Sequence, residues 1–135
     1  MHRRLLAAAI LVSIATGAAA EGYGPVTNAV AAKECSACHM AYLPKLMTEE
    51  SWRLVFADLS NHFGNDASLP EATMKEVFDY YLANASGHAP GRITDAKWWI
   101  RTHKKITDAK WIEVKFKGNC TACHKDAEKG NFEGH

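Results

Sequence analysis

The sequence predicts a mainly α-helical fold made of two small units, the second less regular than the first. Three observations lead there. Apolar side chains recur at helical spacing in two stretches, helix-start signals precede both, and a Gly/Pro-rich stretch separates them from a differently patterned remainder. Of 135 residues, 47% are hydrophobic and 23% charged, with a formal net charge of +1. That apolar share with so little net charge excludes a disordered chain, and near-neutrality excludes a dedicated nucleic-acid binder. The counts that ask for an explanation are 4 cysteines and 7 histidines.

The opening segment reads as an address. Met1-His2-Arg3-Arg4 is a positive start, and the run from Leu5 is apolar or small up to Ala18-Ala19-Ala20, just before Glu21. That order is a secretory signal with an A-x-A cleavage site. Residues 1–20 are therefore expected to be removed after Ala20, leaving Glu21 to His135 as an exported, periplasmic protein. A membrane anchor is the competing reading, but the run falls short of the roughly 20 apolar residues that span a bilayer. The charge that remains is uneven. Residues 21–85 hold 4 basic and 9 acidic side chains, net −5, and residues 86–135 hold 10 and 6, net +4. Halves of opposite sign can steer charged partners to different ends.

Pro25 to Ala32 reads as a first helix running into a cysteine motif. A second starts at Thr48, an N-cap residue type, with Glu49 and Glu50 complementing the helix dipole. It is expected to bury Trp52, Val55, Phe56, Leu59 and Phe63 until Gly64 stops it. A third is expected to open on Ser68-Leu69-Pro70-Glu71, read as a capping box. Its buried stripe would be Met74, Val77, Phe78, Tyr81 and Leu82, with Gly87 at its end. Ser86 to Gly91 is the candidate boundary, dividing residues 21–87 from residues 88–135. Beyond it, Ile93-Thr94-Asp95-Ala96-Lys97-Trp98 and Ile106-Thr107-Asp108-Ala109-Lys110-Trp111 repeat one another, each reading as a helix start. Ile112, Val114 and Phe116 alternate with charged residues, a pattern that suits an extended segment. Trp98, Trp99 and Trp111 suit either a core or the wall of a cofactor pocket.

All 4 cysteines fall in two copies of one motif, Cys35-Ser36-Ala37-Cys38-His39 and Cys120-Thr121-Ala122-Cys123-His124. C-x-x-C-H is the signature of covalent haem attachment. Residues three and four apart share one face of a helical turn, so two thiols reach the two vinyl groups on one haem edge while the histidine points at the iron. Structural disulfides would not require a histidine after each pair. The knuckles of a four-cysteine zinc site lie about 15–20 residues apart, far closer than Cys38 and Cys120. A thioredoxin-like pair needs a βαβ setting that the sequence lacks. Two covalent haem c groups follow, attached through Cys35, Cys38, Cys120 and Cys123, with His39 and His124 as proximal ligands.

The sixth ligand decides the chemistry: methionine raises the potential, histidine lowers it, and an open site binds gas or peroxide. Met40 abuts a proximal histidine, Met74 lies in a helical stripe, and Met47 precedes a helix. His62 shares the apolar face of its helix with Val55 and Leu59 and stands at its end, where a ring can turn toward a haem. His103 follows Trp99 and Ile100 at helical spacing, with His88, in the Gly/Pro loop, as the alternative. His135, the last residue, is expected to fray. The expected function is a one-electron carrier between redox proteins rather than an enzyme. The competing class is a dihaem peroxidase or gas binder with one open iron.

Around these motifs the chain resembles the bacterial dihaem cytochromes c. The likeness rests on Glu34 to Tyr42, on Asn61-His62-Phe63-Gly64 with Ala67-Ser68-Leu69, and on Asn119 to His124 with Gly130-Asn131-Phe132. It implies two domains, each with a bis-histidine haem, the first similar to class I cytochromes c and the second smaller and less regular. It also implies a small oxygen-binding cytochrome c, the sphaeroides haem protein, as electron acceptor and a membrane cytochrome b upstream. The expected form is a monomer without nucleic-acid partners, held in the membrane by no segment after signal cleavage. Each half is shorter than the roughly 70–80 residues that usually hold a core unaided. Haem-free protein is therefore expected to lose most of its helicity and its cooperative melt by far-UV circular dichroism; native-like helicity would refute this.

Overall fold

The computed structural model describes residues 22–88 and 91–133; the expected signal segment and His135 lie outside the described residues. Five α-helices follow one another: α1 (Ala29–Cys35), α2 (Glu49–Ala57), α3 (Glu71–Asn84), α4 (Lys97–His103) and α5 (Asp108–Glu113). Single 3-10 turns stand at Pro44–Leu46, Leu59–Asn61, Ile93–Asp95, Cys120–Ala122 and Ala127–Lys129. Among the described residues there is no β-strand, and one isolated bridge pairs His62 with Asn65.

The longest helix, α3, is the mast of the first half. Both α1 and α2 pack on it, and its Val77 and Tyr81 are almost wholly buried. Trp52 and Phe56 of α2 meet Phe78 and Tyr81 of α3 with ring centroids 4.3 to 5.6 Å apart. Such aromatic pairs add about 0.5–1.5 kcal/mol each beyond their area burial. The Trp52 indole N–H donates to the Pro44 carbonyl at 2.8 Å, so this bulky ring is buried without an orphaned donor. The core crosses the Gly/Pro boundary. Ile93, Ala96, Trp99 and Ala127 belong to the same buried cluster as Leu43, Leu46, Trp52 and Tyr81. Two close approaches tighten the packing, the second of them between the halves. Gly87 N–H donates to the Met47 carbonyl at 3.0 Å where a side chain would strike the Leu46 backbone, and Gly130, at φ +85°, lies against Gly24.

Several expectations are corrected. The first helix begins at Ala29, capped by the Asn28 side chain, which accepts from Ala31 N–H. The second stops at Ala57, so Leu59 sits in a 3-10 turn and Phe63 is 52% exposed instead of closing the stripe. No capping box forms at Ser68. Its N–H binds the Asp66 side chain, and Pro70 precedes α3 without a side-chain cap. The third helix ends at Asn84, three residues before Gly87, whose role is the close approach to Leu46. Residues 112–116 are not extended: Ile112 ends up in α5 and 79% exposed, while Val114 alone turns inward.

The six-residue repeat takes two forms. In the second copy Thr107 caps α5, its hydroxyl accepting from Lys110 N–H at 3.3 Å. In the first, Ile93–Asp95 forms a 3-10 turn with Ile93 buried, and α4 starts only at Lys97 without a side-chain cap. Burial of Ile93 and Ala96 in the shared core overrides the local signal. Thr107→Ala is therefore expected to cost about 1 kcal/mol and Thr94→Ala much less, read as the difference in thermal midpoint of the holoprotein. Equal effects would show that the copies are equivalent.

Candidate functional site

The first cysteine motif begins where α1 ends. Cys35 is the last residue of α1, half-buried against the core, and Cys38 is exposed in the bend that follows. The second is a tight helical turn, with His124 N–H donating to the Cys120 carbonyl at 2.8 Å. All 4 cysteines are free of disulfides. Burial pushes the Cys35 thiol up, with the Tyr81 hydroxyl beside it working the other way, and pushes Cys120 up to about 11. In both copies the leading cysteine faces the protein interior.

Each motif histidine has a second imidazole facing it. His39 and His62 lie with ring centroids 6.3 Å apart and planes at 26°. His124 and His103 lie 6.2 Å apart with planes at 89°. A metal–imidazole bond of about 2 Å on each side, with about 1.15 Å from nitrogen to ring centre, separates two centroids by about 6.3 Å. The gap in both pairs suits one iron. His88 instead is exposed and lines a cleft with Tyr23, Lys45, Leu46 and Trp98.

Ring anchoring leaves the correct nitrogen for a metal. His39 Nδ1 donates to the Met40 carbonyl at 2.7 Å, and His103 Nδ1 donates to the Trp99 carbonyl at 2.9 Å. A carbonyl only accepts, so Nε2 is the nitrogen with the lone pair in both rings. His62 Nδ1 is buried without a hydrogen bond, and desolvation, followed by the His39 ring and Arg92, lowers its pKa toward the neutral form. Neutral imidazole is the form that binds a metal. These donors fit two haem groups, with a thioether pair and two imidazoles for each. Among the described residues no group of three or more His, Cys, Asp or Glu converges, so no bare-ion cage competes.

The two facing histidines are held by different means. His62 opens a two-residue reversal in which His62 N–H donates to Asn65 O at 2.7 Å and Asn65 N–H donates back at 3.2 Å. Phe63 and Gly64 both take positive φ, 51° and 93°, the signature of a type I′ turn. A phenylalanine in that region is strained by about 1–2 kcal/mol, and the Arg92 guanidinium stacks 4.7 Å over its ring. His103 sits at the end of α4, stacked 4.3 Å from Trp99, while Trp111 stacks on Trp99 at 5.5 Å. Trp99 and Trp111 are thus a wall of the second site, whereas Trp98 lines the cleft with His88.

Further contacts have no periodicity that marks them, although Tyr42 and Phe132 both fall in segments on which the family likeness rests. Phe132 packs edge-on against His124 at 5.7 Å, and Tyr23, from the start of the described chain, packs on Phe132 at 5.5 Å. Tyr42 stacks on His39 at 4.6 Å, and burial raises its phenol well above the ordinary range.

A mainly helical fold with two C-x-x-C-H turns, each beside a second histidine, defines a small c-type cytochrome with two haem sites. Residues 31–132 match the family described as Dihaem cytochrome c, and the chain belongs to that family. Among solved structures, a DHC purified from Rhodobacter sphaeroides is 41% identical with a TM-score of 0.73, covering 78% of this chain and 97% of its own. A second structure, of diheme cytochrome c from Rhodobacter sphaeroides, is 38% identical with a TM-score of 0.74, covering 79% and 98%. The diheme cytochrome c of Shewanella baltica is 36% identical with a TM-score of 0.71, covering 78% and 87%. A search of curated proteins finds no match. The chain accordingly carries two haem c groups. No helix among the described residues is long and apolar enough to cross a membrane.

Gly64→Ala puts a Cβ on a φ of +93° with no atom within 4 Å of it, so its cost is backbone strain alone. The expected loss is about 1–2 kcal/mol, with a change in the absorption or EPR signal of one haem only. A change in both haems would show that the reversal at His62 serves more than the first site.

Proposed function

We propose that the chain is a periplasmic one-electron carrier in which every ligand the protein gives to iron is a histidine. Cys35 and Cys38 attach the first haem and Cys120 and Cys123 the second. His39 and His124 are the proximal ligands, and His62 and His103 complete the coordination. The observation that carries this reading is the pair of facing imidazoles, 6.3 and 6.2 Å apart, one beside each cysteine motif. His103 is favoured over His88 by its place beside His124 and by the Trp99 carbonyl that orients it.

When bound, each haem supplies a ferric–ferrous couple, and two imidazole ligands place it below histidine–methionine cytochromes. The chain's own residues do the rest. The main-chain carbonyls of Met40 and Trp99 hold two rings in one tautomer and orientation, so neither has to move when charge changes. Trp99, Trp111 and Phe132 pack around the second pair of histidines and exclude water there. Arg92, near His62 and Tyr42, favours the reduced and less positive state of the first site.

The organisation proposed is a signal at 1–20, a first haem domain at 21–87 and a second at 88–135, working as a monomer. The acidic first part and basic second part give donor and acceptor separate docking faces. The partners proposed are a membrane cytochrome b as donor and a small oxygen-binding cytochrome c as acceptor.

Two spectra test the ligand assignment. The reduced protein is expected to leave its visible spectrum unchanged under carbon monoxide, and a shift would favour the peroxidase or gas-binding class. Oxidised protein is expected to give two distinct low-spin EPR signals. Near-parallel imidazoles split the iron orbitals they donate to, and perpendicular ones leave them nearly degenerate, with larger g-anisotropy. His103→Met should alter only the more anisotropic signal; the same effect from His88→Met would overturn the assignment.

A further inference from the structure

Tyr42 touches both haem sites through different atoms. Its ring stacks on His39, centroids 4.6 Å apart and planes at 23°. Its hydroxyl donates to the Gly118 carbonyl at 2.8 Å, across 76 positions of sequence. That same carbonyl accepts the Cys120 N–H at 2.9 Å. Its own main-chain carbonyl accepts the Tyr81 hydroxyl at 2.9 Å, and Tyr81 lies beside Cys35. One residue therefore joins the proximal ligand of the first haem to the leading attachment cysteine of the second.

The junction is built for this contact. Gly118 is buried, and a Cβ there would collide with the Tyr42 hydroxyl and press the Phe116 ring at 3.2 Å. Phe116 in turn lies 6.3 Å from His39. The absence of a side chain at 118 is what lets the phenol reach the carbonyl. A hydroxyl needing only burial and one acceptor would not also require its ring to stack face-on against a ligand imidazole.

We propose that Tyr42 is the positioning residue that couples the two haems, carrying electron exchange between them along His39, its own ring, the hydroxyl–Gly118 hydrogen bond and the Cys120 backbone. This rests on the ligand reading proposed above. The exchange moves one electron from ferrous iron at one site to ferric iron at the other. Tyr42 keeps its phenolic proton and all its electrons, so no other reactant is consumed. The hydrogen bond and the close ring-to-ring contact shorten the gaps in that route, and electronic coupling falls steeply with the width of every gap.

The test uses half-reduced holoprotein and two-dimensional exchange NMR of the haem methyl signals, repeated at several dilutions. Exchange within a molecule is independent of concentration, and exchange between molecules is not. Tyr42→Phe keeps the ring on His39 and deletes the hydrogen bond, while Gly118→Ala blocks the same bond from the other side. Both variants are expected to lower the concentration-independent rate several-fold, with both low-spin EPR signals retained. A merely structural role would shift the EPR signals or the melting temperature and leave that rate alone. An unchanged rate in both variants overturns the proposal and leaves direct exchange between the porphyrin edges. The carbon monoxide result is independent of either substitution, so failure of the ligand reading is told apart from failure of this one.

Discussion

The constraint on which the rest of the structure depends is the separation of two imidazole rings. A gap of about 6.3 Å between centroids accommodates one metal with a bond to each ring, and a gap an ångström wider would not. Two such gaps occur here, 6.3 and 6.2 Å, and the chain sets them by unrelated means. At the first, a strained two-residue reversal aims His62 at a ring fixed by the Met40 carbonyl and the Tyr42 stack. At the second, a helix terminus backed by two tryptophans holds His103 over a 3-10 turn. Strain of this kind survives only where surrounding structure over-determines it, and Phe63 under the Arg92 guanidinium is such a place.

Holding both gaps rigidly suits electron transfer. The carbonyl anchors on His39 and His103 resist rotation of those two rings. The shared core serves the same end. Trp99, which stacks on His103, is buried in one cluster with Tyr81, whose hydroxyl donates to the Tyr42 carbonyl beside the first site. The Tyr23–Phe132–His124 stack brings the beginning of the described chain onto the second site. Two haem sites in so short a chain are thus packed as neighbours.

Much of this was legible in the residues. The two C-x-x-C-H motifs needed no folding to be recognised, because their chemistry lies within five consecutive positions. The α2 and α3 stripes were legible through Trp52, Phe56, Val77 and Tyr81, since helical spacing puts them on one face whatever they meet. Each error has its own local cause. Phe63 looked buried because periodicity extends a helix until a glycine, yet the chain had already left α2 at Ala57 and reversed at Phe63-Gly64. The capping box at Ser68 failed because Asp66 offered its N–H a nearer acceptor. Ile112, Val114 and Phe116 looked extended because they alternate with charged residues, yet only Val114 is buried.

By itself the sequence determined the covalent chemistry: two haem attachments, two motif histidines and a helical chain around them. Those depend on local spacing, which holds in any packing. Which histidine faces which, at what angle, and what links the two sites were decided only by the tertiary structure. His39 and His62, His103 and His124, and above all Tyr42 and Gly118 are brought together by the burial of a common core. Contacts between positions so far apart in the chain leave no periodicity to read.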